Sequence, residues 1–282
     1  MGGRGGAPPQ TRSQTEKSLD IGDAMTTQAA KIDPIRDRFF TPLEIAELWS
    51  ARLFFATIVF SLCVAYFDEP SQKSLISTLQ WIQVVAVLAL FTLDIFIRLH
   101  LAPRAHDARA QDFLAKAYGA PLISQQTSGY YNHAQTDPIL GLAAQLFENS
   151  LFTKEIVGKM LRRETVLIAI YMVIWAAVFS NRDVQLSWIA LCAQVLFGEQ
   201  ILARWLRMWW LRQRCEEVYK QMRTLYVNSP APEKFAVTAL DAYTKYESSK
   251  AMASITLSSK IFDKINPAVS AEWELHRKDF GI

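Results

Sequence analysis

Two carboxylates interrupt apolar stretches of this chain, and each is followed about one helical turn later by an arginine. Asp94 and Arg98 stand in FTLDIFIRLH, Glu199 and Arg204 in FGEQILARW. At the helical rise, Asp94 and Arg98 lie about 6 Å apart along the axis, and acid before base at this spacing is the favourable orientation. A carboxylate near the end of an apolar helix has two physical readings. It sits at headgroup level with its charge kept wet beside the arginine, or it turns into a pathway shared by several helices, where carboxylates attract cations. Asp94, Arg98, Glu199 and Arg204 are therefore the candidates for a pore or gate, and both readings stand.

Other chemistry has little to work with. The chain contains no GxxxxGK[ST] loop, no GxGxxG after a strand, no HExxH and no GxSxG elbow. His100, His106, His133 and His276 are scattered, and His100 and His106 flank Pro103 without a spacing that suits a metal. Of the 3 cysteines, Cys63 and Cys192 lie in apolar runs and Cys215 in a basic segment, which offers neither a disulfide framework nor a Cys-x-x-Cys pair. The Glu216–Glu217 pair reads as a solvated face. The expectation is a protein that is not an enzyme and uses no metal or other cofactor.

The elements that must position the charged pairs are helices. Half the chain is apolar (51%), but unevenly so: four strongly apolar runs alternate with charge-rich stretches, the pattern of a multi-span membrane protein. The first run follows FTPLEIAELW, where Thr41 reads as a helix cap, Pro42 as its first residue and Glu44 as the partner in a capping box, and it extends to Phe67. The second runs from Leu75 to Ile97 and is stopped by Arg98, His100 and Pro103. The third runs from Thr165 to Ser180, and the fourth from Val184 through Glu199 into RWLRMWWLRQR. Each uncharged stretch is shorter than the roughly 20 residues that cross a bilayer core, so the spans must draw on flanking Arg, Trp and Glu residues.

The predicted fold is all-α and polytopic: four transmembrane helices in two hairpins, with helical middle and C-terminal segments in the cytoplasm. Basic residues cluster before span one, between spans two and three, and after span four, which by the positive-inside rule puts both termini and the middle segment inside. Arg52 and Glu164 add charge at the inner ends of spans one and three. The expected units are a disordered tail over 1–35, an entry helix and first hairpin over 36–101, a cytoplasmic insert over 102–163, a second hairpin over 164–212 and a C-terminal helical region over 213–282. In the insert, HDARAQDFLAKAYG predicts a helix stopped by Gly119, and Asp137–Pro138 starts a second helix that continues into span three. The C-terminal KFAVTALDAYTKYESSKAMASITLSSKIFDKI reads as amphipathic helix, docked on the insert or on another subunit.

Gln80, Gln83 and Gln194 read as interhelical hydrogen-bonding groups. Trp205, Trp209 and Trp210, interleaved with Arg204, Arg207 and Arg212, would suggest base stacking in a soluble protein, but after a span they read as an interfacial belt. The net charge of +3 is too small to argue for nucleic acid, which is not an expected partner.

The stretch GYYNHAQTDPILGLAAQLFENSLFTKEIVGKML, between two pairs of spans, resembles the cytoplasmic insert of bacterial four-transmembrane effectors from nucleotide-second-messenger (CBASS-like) and nucleotide-sensing anti-phage conflict systems. Tyr130 and Tyr131 stand where that family has an aromatic pair before a proline-started helix. Pro138, Gln145 and Asn149 match the helix itself, and Gln111 and Asp112 match a paired Gln and acidic residue on the preceding short helix. The layout extends from Arg36 to the end, and the residue-level likeness lies between Ala108 and Arg163. The resemblance implies an oligomeric pore-forming or membrane-disrupting effector of the bacterial inner membrane, switched on by a cyclic nucleotide or a nucleotide-sensing partner protein. If a signal binds directly, the candidates are Tyr130, Tyr131, His133, Gln145 and Asn149; the other reading is that the tyrosine pair packs its loop onto the bundle. The alternative function is a passive membrane anchor that recruits a cytoplasmic partner.

Overall fold

The helical backbone begins at Pro34, earlier than the Thr41 start predicted. Asp33 is the cap: its Oδ1 accepts the Arg36 N–H at 3.0 Å, and Pro34 takes the first helical position. The other carboxylate oxygen accepts from Arg109 at 2.7 Å, so one side chain both starts a helix and ties it to another. Thr41 lies inside the helix, and its hydroxyl donates to the Arg36 carbonyl at 3.3 Å. The reading of FTPLE as a capping box is thus corrected. A widened π turn over Arg36–Phe40 precedes Pro42, so the missing N–H of proline and its clash with the backward carbonyl are absorbed without a break.

The computed structural model describes residue 2 and residues 33–66, 73–124, 127, 135–180 and 199–282; these form helices and connecting turns, with no strand among the described residues. Helix α1 is Thr41–Tyr66 and α2 is Lys73–Phe96. A second π turn, Ile97–Leu101, leads without interruption into α3, Ala102–Tyr118. Pro103 does not stop the second apolar helix as predicted, for the same reason that Pro42 does not start the first. The N–H of Ala102 reaches back to the Ile97 carbonyl, and the helix passes the proline widened rather than broken. Gly119 does stop α3, in the left-handed region at φ 63.

Helix α4 is Pro138–Ser180, a single helix of 43 residues that carries the insert directly into the third apolar run, as expected. Asp137 caps it, its Oδ1 accepting from Ile139 N and Leu140 N at 2.9 Å each. A third π turn, Glu199–Ala203, opens into α5, Arg204–Asn228. The C-terminal amphipathic stretch forms two helices, α6 (Pro232–Ala253) and α7 (Ser259–Phe280). The break falls at Ser254, left-handed at φ 48, and the Ser258 hydroxyl caps α7 by accepting from Ile261 N at 3.4 Å. Without Gly or Pro in SITLS, this break leaves no strong mark in the sequence. Most of the fourth apolar run lies outside the described residues.

Helices α1 and α2 pair antiparallel through two polar rungs. Ser50 Oγ donates to Asp94 Oδ1 at 2.5 Å, and Gln83 Nε2 donates to Ser61 Oγ at 2.7 Å. The step from Ser50 to Ser61 equals that from Gln83 to Asp94 and is close to three helical turns, so one register satisfies both rungs on one face. Two helical stretches, Arg36–Val64 and Lys73–Tyr118, are long and apolar enough to cross a membrane, and only 6% of the apolar window of each is buried. The core helices of a soluble bundle would bury those windows. Trp81, on α2, is 69% exposed, and Val166, Ile170, Val173, Ile174 and Phe179 on α4 are exposed as well.

The other helices bury their apolar faces in one core. Helices α3, the first half of α4, α5, α6 and α7 gather around Phe147, which is 0% exposed and rests its ring against Tyr219, Tyr226, Trp273, His276 and Phe280 at centroid distances of 5.3, 5.7, 5.5, 5.3 and 6.1 Å. The insert and the C-terminal region are therefore one unit. At the α4–α5 crossing a Cβ on Gly158 would come within 3.2 Å of Arg212 Nε, so glycine permits the close approach.

Phe147→Ala is expected to destabilise this bundle by about 3–5 kcal/mol, with Phe147→Leu milder, as measured by thermal unfolding of the detergent-solubilised chain. Burial raises the Cys215 thiol from 9.0 to about 12, and raises the Tyr226 and Tyr243 phenols from 10.0. The folded chain thus holds protons that the unfolded chain releases. Its melting temperature should stay level up to pH 9 as far as these groups go and fall as pH rises from there, less steeply in Cys215→Ala.

Candidate functional site

The apolar hairpin meets the bundle at a polar cleft of about 60 Å³. Glu47 and Ser50 from α1, Asp94 from α2, Arg98 from the second π turn, Arg204 and Arg207 from α5, and the α6–α7 turn from Ser254 to Thr256 line it, with Ile97 beneath. The three π turns found among the described residues all lie where apolar helix gives way to bundle. They are the local adjustments that bring these side chains together. Below the cleft, Leu43, Ile97, Ala102 and Ala105 form a small apolar cluster separate from the main core.

The hydrogen bonds in the cleft join helices distant in the chain. Ser50 anchors Asp94 across the hairpin, and the Thr256 hydroxyl donates to Glu47 Oε1 at 2.7 Å, tying the α6–α7 turn to the entry helix. Ser254, beside it, sits at a positive φ of 48, a conformation held by its surroundings rather than by its own preference. Formal charge is three guanidinium groups against two carboxylates. Among the described residues no group of three or more His, Cys, Asp or Glu side chains could hold a metal ion, and the cleft contains no histidine, cysteine or lysine. Its groups can hold ions, and its two hydroxyl–carboxylate pairs, Ser50–Asp94 and Thr256–Glu47, tie separate helices together.

Three of the four pore or gate candidates, Asp94, Arg98 and Arg204, come together in this one cleft. Glu199 opens the third π turn, within a turn of Arg204, and its side chain lies outside the described residues. Sequence reasoning missed Glu47, Ser50, Arg207 and Thr256. It assigned the charge of the first span to Arg52, which instead lies 4.9 Å over the Trp49 ring. Arg207 carried a signal, three residues after Arg204 and so on the same face of α5.

The ligand candidates fare differently. Tyr130, Tyr131 and His133 lie outside the described residues. Gln145 is 1% exposed inside the bundle, and the Asn149 carbonyl accepts from Tyr246 Oη at 3.3 Å. Of the paired Gln and acid, Gln111 is exposed, while the buried Asp112 holds the following loop by accepting from Thr127 N at 3.0 Å and Thr127 Oγ1 at 2.8 Å. Trp205 donates from Nε1 to Thr165 Oγ1 at 2.9 Å and packs with Trp210 against the core, which leaves Trp209 as the exposed member of the trio.

Thr256→Val removes the donor to Glu47 and should cost the turn about 1.5–3 kcal/mol, because the lost bond is to a carboxylate. Amide exchange over 254–258 should then quicken about tenfold to a hundredfold while exchange in the Phe147 core stays unchanged; unchanged exchange at the turn would show that the contact holds nothing. No protein-family model, no curated protein and no solved structure matches this chain.

Proposed function

We propose that this chain is a membrane effector switched from the cytoplasm: four spans in two hairpins, both termini and the bundle inside, and several copies assembled in the bilayer to leak ions or disrupt it. One observation carries the reading. The exposed apolar stretches run as unbroken helix into one packed bundle, α2 through α3 and α4 by itself, and the first hairpin meets that bundle at a polar cleft. A packed bundle moves as a body, so a signal or partner that shifts it displaces the spans with it. The latch between Thr256 and Glu47 and the rung between Ser50 and Asp94 are the contacts such a shift would break first.

The basic residues flanking the runs support the inside orientation. The resemblance of residues 108–163 to inserts of anti-phage effectors supports defence by membrane damage, with a cyclic nucleotide or a nucleotide-sensing protein as activator. A single protomer encloses little space, so conduction requires oligomers. In that assembly Asp94, with Glu199, would present carboxylates to a cation pathway.

The test is dye release from vesicles that contain the purified chain, with candidate cyclic nucleotides or the partner protein added. Release should appear only with the activator, and Asp94→Asn with Glu199→Gln should change ion leakage while leaving insertion intact. Partner binding without any leakage would instead identify a passive anchor. Unchanged leakage in the double variant would remove the two carboxylates from the pathway.

A further inference from the structure

Three helices end their exposed apolar surface in step. Counted toward the bundle from the polar cleft, Ile45 lies five residues from Ser50 on α1, Leu99 five from Asp94 just past α2, and Trp209 five from Arg204 on α5. At the helical rise each step is about 7.5 Å, so the three side chains share one depth. They are 52%, 77% and 46% exposed. Farther toward the bundle, exposed positions on the same helical stretches are polar: Arg38 and Thr41, Arg104 and Asp107, Gln213 and Glu217. Helix α4 agrees. Trp205 Nε1 donates to Thr165 Oγ1 at 2.9 Å, which aligns α5 with α4, and across that contact exposed Arg162 and Arg163 give way to exposed Val166.

Single exposed apolar residues are normal on any protein, but a common edge on helices that run in opposite directions calls for one planar cause. The apolar surface on the far side of that edge is continuous with the uncovered windows of the first hairpin. Side-chain chemistry near the edge is that of a bilayer's polar layer. Trp49 and Trp209 are exposed there, and indole rings, apolar with a single N–H, settle at headgroup level. Arg52 lies on the apolar side of Ser50 and bends back, its guanidinium 4.9 Å over the Trp49 ring, which is the direction in which a snorkelling arginine reaches.

We infer that the bundle is seated in the polar layer of the membrane. A collar of Ile45, Trp49, Leu99, Leu206 and Trp209 contacts phospholipid headgroups, and the plane through Ile45, Leu99 and Trp209 is its aqueous edge. Each polar layer of a bilayer is about 5–7 Å thick, so the step of about 7.5 Å from that plane puts the cleft at the border of the hydrocarbon. Asp94 and Glu47 therefore stand at the base of the headgroup layer, and the α6–α7 turn reaches that depth through Thr256. A bundle that tilts or withdraws has to move this collar through lipid. The inference rests on the membrane reading of the proposed function and adds a depth to it, so the experiment tests the two at different positions.

The experiment places p-benzoyl-phenylalanine, a photoreactive residue that inserts into nearby C–H bonds, at one exposed position at a time in the full chain, reconstituted in phosphatidylcholine vesicles. After irradiation the mass of the purified chain shows what has been joined to it. Probes at Val59 and Val85 report on the apolar hairpin, those at Ile45, Leu99 and Trp209 on the collar. Probes at Asp107 and Glu217 lie eight residues, about 12 Å, past the plane. Lipid adducts are expected at the hairpin and collar positions and should be lost at Asp107 and Glu217. Adducts at Val59 and Val85 with none at the collar would overturn the collar while leaving the membrane reading intact. Crosslinks from the collar to a second copy of the chain in place of lipid, or lipid adducts at Asp107 and Glu217 equal to those at the collar, would overturn it as well. No lipid adduct at Val59 or Val85 would remove the membrane reading and the collar together.

Discussion

Asp94 ends an apolar helix, and a carboxylate can stay there only if donors meet it. Ser50 does so from the neighbouring helix, and that contact sets the register of the hairpin, because the Gln83–Ser61 rung is satisfied by the same alignment. The guanidinium groups of Arg98, Arg204 and Arg207 gather at the same level. The need to solvate one charge at the end of an apolar run therefore draws α1, α2 and α5 to a single point. The α6–α7 turn joins them through Thr256, which brings a segment more than two hundred residues from Glu47 into the same cleft.

What lies on either side of this point differs in kind. On one side the apolar surface of α1 and α2 stays uncovered, and on the other the helices bury their faces around Phe147. Continuous helix joins α2 to α3 and the apolar half of α4 to its packed half, so a rotation or shift of the bundle is delivered to those apolar stretches. The three π turns among the described residues occur at the boundary. Two of the three immediately precede the residue before a proline, where a widened turn relieves the clash that would otherwise kink the helix.

From the sequence alone, the helical class, the apolar runs, the Gly119 stop, the Asp137–Pro138 start and the continuity of the insert into the third run were legible, because each follows from local backbone preference or composition. Local signals also misled where another lay nearby: Asp33–Pro34 is the same start as Asp137–Pro138 but was masked by FTPLE, and Pro103 read as a stop because a π turn has no sequence mark of its own. Asp94, Arg98 and Arg204 stood out as charges in apolar surroundings. Which of them meet, and that Glu47, Ser50, Arg207 and Thr256 complete the set, only the tertiary structure decided. Those residues look ordinary in their own helices, and their roles arise from the packing of four segments far apart in the chain, which local preference does not encode.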